Sequence, residues 1–426
     1  MIHSLSIQNF LSFKEEVTFS FEATKDKKLE DYQVVEVAKG VRLLKLGIIY
    51  GANASGKSNL LNAFDFLRRI WLSVKDNKDK KTGLIPFMMD DSSKKEVSKF
   101  NLVFYVDGKK FVYNLEINEK VIFYECLYFY PGVQPKIVFE RTHNNISKIE
   151  YGASIKTNKV AKDQIGIKCL SNMSVFAAYN QVNVEIFEIE LALSWMKNQF
   201  MEVIEPEMPL SHYVENLIYK DDKMKDEVLN YLKEADFNIS AIHTKFVKED
   251  IPEFVISSFI EDSNLPLKEK ERIRKERTFV IPRTSFEHRV YDKEGNLHYH
   301  DLPEELQSKG TLRTFELAVS ILQAIKRNAF LAIDEIESSL HPKLVEFIIE
   351  NFLKDSKFAQ LLVTIHYDGL LEEDDLIRKD NIWFTEKNTD ASTKLYSLSD
   401  FKAVNRITSL QKAYKYGKFG AIPNIE

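Results

Sequence analysis

The chain has little that would tie it to a disulfide framework or a metal cluster. Its 426 residues include two cysteines, Cys126 and Cys169, with no CxxC spacing and no paired histidines beside them. Two reduced thiols in a cytoplasmic protein are the expected reading. Long apolar runs are also missing: the longest, such as Phe330-Leu331-Ala332-Ile333, are strand-sized, well short of the ~18 residues of a membrane span. The opening Met1-Ile2-His3-Ser4-Leu5 has no basic segment leading into an apolar one, so no signal peptide is expected. A dominant charge is absent too. The formal net charge of -5 leaves no whole-chain basic field, and any DNA contact would need a local patch. No internal repeat or low-complexity segment is found. What remains is an ordinary globular composition, 44% hydrophobic and 29% charged, with 30 Phe and 18 Tyr for a sizeable core. The length suggests two or three structural units.

Hydrophobic period divides the chain. Residues 2–22 read as two strands. Leu43 to Tyr50 reads as a buried strand running straight into a glycine loop. From Asn59 to Leu72, Leu60, Leu61, Phe64, Leu67 and Trp71 share a helical face. Residues 98–155 alternate at period two, with Asp107-Gly108 as a hairpin turn. From about Glu185 to Ala241 the period turns helical and a charged segment, Lys268 to Arg277, follows; Pro206, Pro209 and Pro252 break the insertion. A hairpin is expected at 287–291 and 297–300, a helix over Thr311–Lys326, a strand over 330–333, a helix over 343–353 and a strand over 360–365. The expected organisation is a lobe at 1–185, a helical insertion at 186–285 and a second lobe at 286–426.

Gly51-Ala52-Asn53-Ala54-Ser55-Gly56-Lys57-Ser58 fits the Walker A pattern, with a strand before it and an amphipathic helix from Asn59 after it. Glycines allow a tight bend in which successive N–H groups point at phosphate oxygens, and the helix N-terminus adds its positive end. ATP with Mg²⁺ is therefore the expected ligand. Gly51, Asn53, Ser55, Gly56, Lys57, Ser58 and Asn59 are the expected binding residues, Lys57 on the β/γ-phosphates and the Ser58 hydroxyl on the metal. Phe330–Ile333 followed by Asp334-Glu335 fits Walker B. Asp334 would hold Mg²⁺ and Glu335 would act as general base on the attacking water. Ser308-Lys309-Gly310-Thr311 opens a helix about 25 residues before Walker B, and a Ser hydroxyl at a helix N-terminus can grip the γ-phosphate of a second protomer. His366 ends the strand 360–365, where a switch histidine would contact γ-phosphate and water. Ser338-Ser339-Leu340-His341-Pro342 occupies the D-loop place.

Together these pieces resemble the ABC-type ATPases of the SMC, Rad50 and RecF branch, whose first strands Ile7-Gln8-Asn9-Phe10-Leu11-Ser12-Phe13 also resemble. Within that branch, Asp334 to Pro342 and Tyr416 to Pro423 look most like the AAA15 or OLD-like abortive-infection ATPases. The resemblance implies an α/β fold with a mixed sheet carrying the P-loop, an antiparallel β lobe and an inserted helical lobe. It implies ATP-driven pairing into a homodimer or higher even-numbered oligomer, with Ser308, Gly310 and Thr311 acting in trans. It also implies a separate effector, a nuclease or toxin, in anti-phage defence. A RecF- or Rad50-like DNA repair role is the alternative, and no membrane partner is expected.

Two departures stand out. No Gln lies between Gly51 and Tyr130, and Leu84-Ile85-Pro86-Phe87 stands where a Q-loop is expected. The acids after His366, Asp374-Asp375 and Glu386, do not form the cluster a TOPRIM nuclease needs, so no nuclease is expected. In the insertion, Lys270, Arg272, Arg274, Lys275 and Arg277 read as a solvated helix face or as contacts to a phosphate backbone.

Overall fold

The computed structural model describes residues 1–235, 237–250, 270–271, 275–402 and 404–423. It has two units, Met1–Pro206 with Gln323–Ser338 and Val345–Glu426, and Glu207–Leu322 with Ser339–Leu344. The insertion's Pro252, Arg272 and Arg274 lie outside the described residues.

In the first unit, β1 (Ile2–Gln8) and β2 (Val17–Ser20) are followed by the one-turn α1 (Glu30–Gln33) and the small pair β3 (Val34–Ala38) and β4 (Val41–Leu44). Then come β5 (Leu46–Gly51) and α2 (Lys57–Leu72). The single apolar run expected over Leu43–Tyr50 is thus two strands in two sheets, parted at Lys45. That residue is buried with its ammonium donating to the Ser356 carbonyl at 2.5 Å. A buried cation needs fixed acceptors, and meeting them here turns the chain out of the β4 ladder.

The meander is β6 (Ser98–Val106), β7 (Lys109–Ile117), β8 (Ile122–Tyr130), β9 (Lys136–Asn144) and β10 (Ile146–Tyr151). With β1 and β2 it makes a seven-stranded antiparallel sheet in the order β10-β9-β8-β7-β6-β1-β2. Asp107 and Gly108 close the first hairpin, both at positive φ (48° and 75°), as a tight two-residue turn requires. Helices α3 (Lys159–Lys168), α4 (Val175–Tyr179) and α5 (Phe187–Asn198) follow. The sheet packs its apolar face on α2, α4 and α5: Phe104 meets Trp71 at 5.9 Å and stacks on Trp195 at 4.3 Å, and Phe139 meets Phe176 at 5.4 Å, between ring centroids. Inside this core Arg141 and Glu125 are both fully buried, 3.5 Å apart. The guanidinium donates to the carbonyls of Leu170 (2.9 Å), Ser171 (3.2 Å) and Met173, while Glu125 accepts the Val175 N–H at 2.9 Å. The pair ties the loop before α4 to strands β8 and β9.

In the second unit, α6 (Ser211–Lys220) and α7 (Asp222–Glu234) lead into β11 (Ile239–Asp250), β12 (Thr278–Tyr291) and β13 (Leu297–Pro303), one antiparallel sheet. After α7 the described residues of the segment 186–285 are the strand β11, the start of β12 and, between them, Lys270, Glu271, Lys275 and Glu276 in helical conformation. The pairing of β11 with β12 shifts register between Ile239 and Ala241. Ile239 and Ile242 on either side of that shift are both buried, as a bulge allows at a spacing of three. The long helix α8 (Lys309–Arg327) follows.

The first unit's other sheet is completed from the far end of the chain by β14 (Phe330–Ile333), α9 (Pro342–Asp355), β15 (Gln360–Thr364), β16 (Ile382–Lys387), β17 (Thr393–Ser397) and α10 (Leu410–Lys415). Its order is β14-β15-β5-β16-β17, parallel except for the edge strand β17. Every residue of β14, β15 and β5 is buried, as in a sheet covered on both faces. The outer edge of β14 is met by parallel bridges from Phe200 and Ile204. This order brings the carboxyl ends of β5, β14 and β15 to one edge, where ligands bind in open parallel sheets.

Candidate nucleotide site

The loop leaving β5 is shaped by two glycines with no room for a side chain. A Cβ on Gly51 would stand 2.4 Å from Thr385 Oγ1, and one on Gly56 2.4 Å from Thr393 Oγ1 and 2.8 Å from Ser12 Oγ. Gly56 has φ 108° and caps α2, and Ala54 has φ 59°. Alternating backbone hands of this kind turn successive N–H groups inward to form an anion cradle. The loop rests on a hydroxyl floor. Ser55 Oγ meets Thr385 Oγ1 at 2.6 Å, Thr393 Oγ1 donates to the Ser55 carbonyl at 2.8 Å, and Asn59 Nδ2 donates to Ser12 Oγ at 2.8 Å.

Lys57 is buried, its ammonium donating to the carbonyls of Gly51 (2.9 Å) and Ala52 (3.2 Å). Burial lowers its pKa below the usual lysine value, against the opposing pull of Asp334, Glu335 and Glu337. A desolvated ammonium resting on two neutral carbonyls is poised to exchange them for phosphate oxygens.

Asp334 and Glu335 leave β14 at the same edge. Asp334 is nearly buried, and one of its carboxylate oxygens accepts a hydrogen bond from the Thr364 hydroxyl. Its other oxygen is free of hydrogen bonds among the described residues, so with the Ser58 hydroxyl it fits the hard-oxygen donor set of Mg²⁺. Glu335 adopts a left-handed backbone, φ 46°. Its carboxylate lies 3.6 Å from Nε2 of His366, and the His366 N–H donates to the Glu337 carboxylate.

One cavity of about 460 Å³ is lined by Ser12, Asn53, Ser55 to Asn59, Glu335, His366 and Lys387, among others. A second, containing Gly51, Asn53 and His366, adjoins Asp368 and Lys415. Ile85, Pro86, Phe87, Met88 and Met89 also line the first cavity. The segment in the Q-loop's place thus reaches the site with apolar side chains. It is held there by Leu11 N–H to the Ile85 carbonyl and Phe87 N–H to Asn9 Oδ1, both 3.0 Å.

Ser308, Gly310 and Thr311 belong to the second unit. Ser308 Oγ accepts the Thr311 N–H at 3.0 Å and lies 2.7 Å from Thr311 Oγ1, capping α8. A Cβ on Gly310 would come within 3.1 Å of the Ser339 carbonyl, so the glycine lets the helix start and the backbone at Ser339 meet. Sequence reading missed Ser12, Thr364, Thr385, Lys387 and Thr393. No local pattern marks them, because each acts across a long loop in the chain.

A glycine loop between a central parallel strand and a helix, with an antiparallel lobe in the same unit, gives the chain the mixed α/β fold of the ABC-type P-loop ATPases. The family follows from the sequence: a model described as "AAA domain, putative AbiEii toxin, Type IV TA system" matches residues 47–185 and 189–372, and the chain belongs to that family. Among solved structures the chain is similar to the SMC head domain from Thermotoga maritima, at 11% identity, 93% of this chain, 98% of that one and a TM-score of 0.40. It is similar to an Smc head bound to the C-winged helix domain of ScpA, at 13% identity, 97% and 99% coverage and 0.44. A Pyrococcus furiosus Smc head with an extended coiled coil, bound to the C-terminal domain of ScpA, overlaps at 13% identity, 98% of each chain and 0.39. No match was found among curated proteins. Among the described residues, no helix is long and apolar enough to cross a membrane.

Proposed function

We propose that this chain binds and hydrolyses ATP, dimerises on ATP, and through that motion controls a separate effector, a nuclease or toxin, in abortive-infection defence. The observation that carries the reading is the convergence of Ser55 to Asn59, Glu335 and His366 on one cavity. Lys57 exchanges its loop carbonyls for β/γ-phosphate oxygens. Ser58 and Asp334 hold Mg²⁺, which supplies charge neutralisation to the phosphates when bound. Glu335 orients the attacking water and takes its proton, and His366, next to that carboxylate, faces the γ-phosphate. Ser308, Gly310 and Thr311 of a second chain close the site. A capped helix start with a glycine at its first turn supports that role. ATP binding closes the pair and hydrolysis reopens it. The family's description, which names a putative toxin of a toxin–antitoxin system, supports the defence setting.

Glu335→Gln tests the chemistry. It lowers turnover by about 10²–10⁴-fold and accumulates an ATP-bound dimer measurable by light scattering. Hydrolysis at the wild-type rate removes Glu335 as base. Ser308→Arg is expected to leave ATP binding by the monomer intact and to block association; ATP-dependent pairing that persists in this variant overturns the in-trans role. Toxicity of a co-expressed neighbouring gene product, relieved or triggered through this chain, supports effector control. ATPase activity stimulated by DNA with a steep salt dependence would instead favour DNA repair.

A further inference from the structure

Four hydrogen bonds fasten the turn 334–338 to the end of β15. The Thr364 hydroxyl donates to the Asp334 carboxylate and accepts the Glu335 N–H at 2.8 Å. The Thr364 carbonyl accepts the Ile336 N–H at 3.2 Å, and the Glu337 carboxylate accepts the N–H of His366. Thr364 is fully buried. Its single hydroxyl therefore connects the acid placed to hold the metal with the backbone of the acid placed as base, screened from water.

The second observation is the backbone of Glu335. A left-handed φ of 46° is unfavourable for a residue with a Cβ and persists only where surrounding bonds impose it. The bond from Glu335 N–H to Thr364 is made at this residue, and it fixes the direction in which the Glu335 side chain leaves the turn. From that turn the carboxylate reaches to 3.6 Å from His366 Nε2. Glu337, two residues on, holds the backbone of the same histidine.

We infer that Thr364 is a positioning residue that sets the geometry of Asp334 and Glu335 together, and that Glu337 does the same for His366. The inference rests on the ATPase reading above. The turn after β14 and the end of β15 then form one clamped element. The Lys57 ammonium and the backbone N–H groups of the P-loop lie outside that element.

The test compares Thr364→Val, which keeps the shape and loses the hydroxyl, with Thr364→Ser, which keeps the hydroxyl, alongside wild type and Glu335→Gln. Losing a hydrogen bond to a charged group corresponds to about 10- to 100-fold in rate. Thr364→Val is expected to lower kcat by that factor, with KM for ATP and the ADP dissociation constant within about threefold of wild type. Thr364→Ser restores most of kcat. Glu337→Ala is expected to lower kcat about 3- to 10-fold, for loss of one backbone anchor. Should the valine variant not fold, Thr364→Ala against Thr364→Ser gives the same comparison. Wild-type turnover in the valine and alanine variants overturns the inference while leaving the ATPase reading intact. So does an equal loss in the serine and valine variants, or a matching loss of ADP affinity, since either marks a packing role. No turnover by wild type, with nucleotide bound, removes the ATPase reading and this inference with it.

Discussion

Lys57→Met separates what the P-loop lysine does for binding from what it does for folding. In the nucleotide-free chain its ammonium is buried against two carbonyls, and burial lowers its pKa. A lowered lysine pKa means the charged form is disfavoured in the folded state. Between the folded pKa and the usual 10.5, the unfolded chain holds a proton that the folded chain lacks, so stability rises with pH across that window. Below it, the lysine's burial penalty is fully present. Methionine is unbranched and of similar reach, and it removes that penalty at the cost of two hydrogen bonds to neutral carbonyls, each about 1 kcal/mol. The nucleotide-free variant is therefore expected to melt at or above the wild-type temperature at pH 7. With ATP the order reverses. A phosphate interaction through a charged donor contributes about 1.5–3 kcal/mol, and two such contacts weaken ATP binding by about 10²–10⁴-fold when lost. At 100 times the wild-type dissociation constant, ligand stabilises the wild type by about 2.7 kcal/mol, and the variant gains almost nothing. Thermal scans with and without Mg-ATP, with binding measured by calorimetry, read both effects. A variant that melts well below wild type without nucleotide, or that keeps the full ATP-induced shift, refutes the argument.

Two further outcomes follow from the same geometry. Gly56→Ala puts a methyl group 2.4 Å from Thr393 Oγ1 at a φ of 108°; the strain and the displaced threonine cost about 2–4 kcal/mol and remove ATP binding, as calorimetry and denaturant titration can show. Arg141→Ala leaves Glu125 buried without its cation and is expected to cost about 3–5 kcal/mol, while any folded fraction binds ATP with wild-type affinity; a change in affinity would mean that the meander core acts on the site.

The parts of the molecule that were legible in the sequence are those whose cause is local. Gly51 to Ser58 constrains its own backbone, Leu60 to Trp71 shows its buried face, and Asp107-Gly108 announces its turn. Phe330–Ile333 with Asp334-Glu335 is equally self-contained. Strand order was not legible, because β5 takes its neighbours β15 and β16 from more than 300 residues downstream. The hydroxyl floor under the P-loop escaped for the same reason: Ser12, Thr385 and Thr393 are ordinary residues until pairing brings them together. Strand β11 lies inside the expected helical insertion because its pairing with β12, further along the chain, leaves no local mark. The absent Q-loop glutamine was visible in the sequence, and the structure adds that Ile85 to Met89 nevertheless lines the site.

That floor also sets an order of events during synthesis. The Walker A loop leaves the ribosome early, but the threonines that support it, Thr385 and Thr393, lie 330 and 338 residues beyond Ser55. The central strand β5 likewise waits for β15 and β16 on either side. A nascent chain halted before residue 360 can fold the meander, whose contacts are sequential, yet has a phosphate loop with no neighbouring strands to seat it. The seat of the phosphate loop is then complete only once β15, β16 and β17 have all emerged.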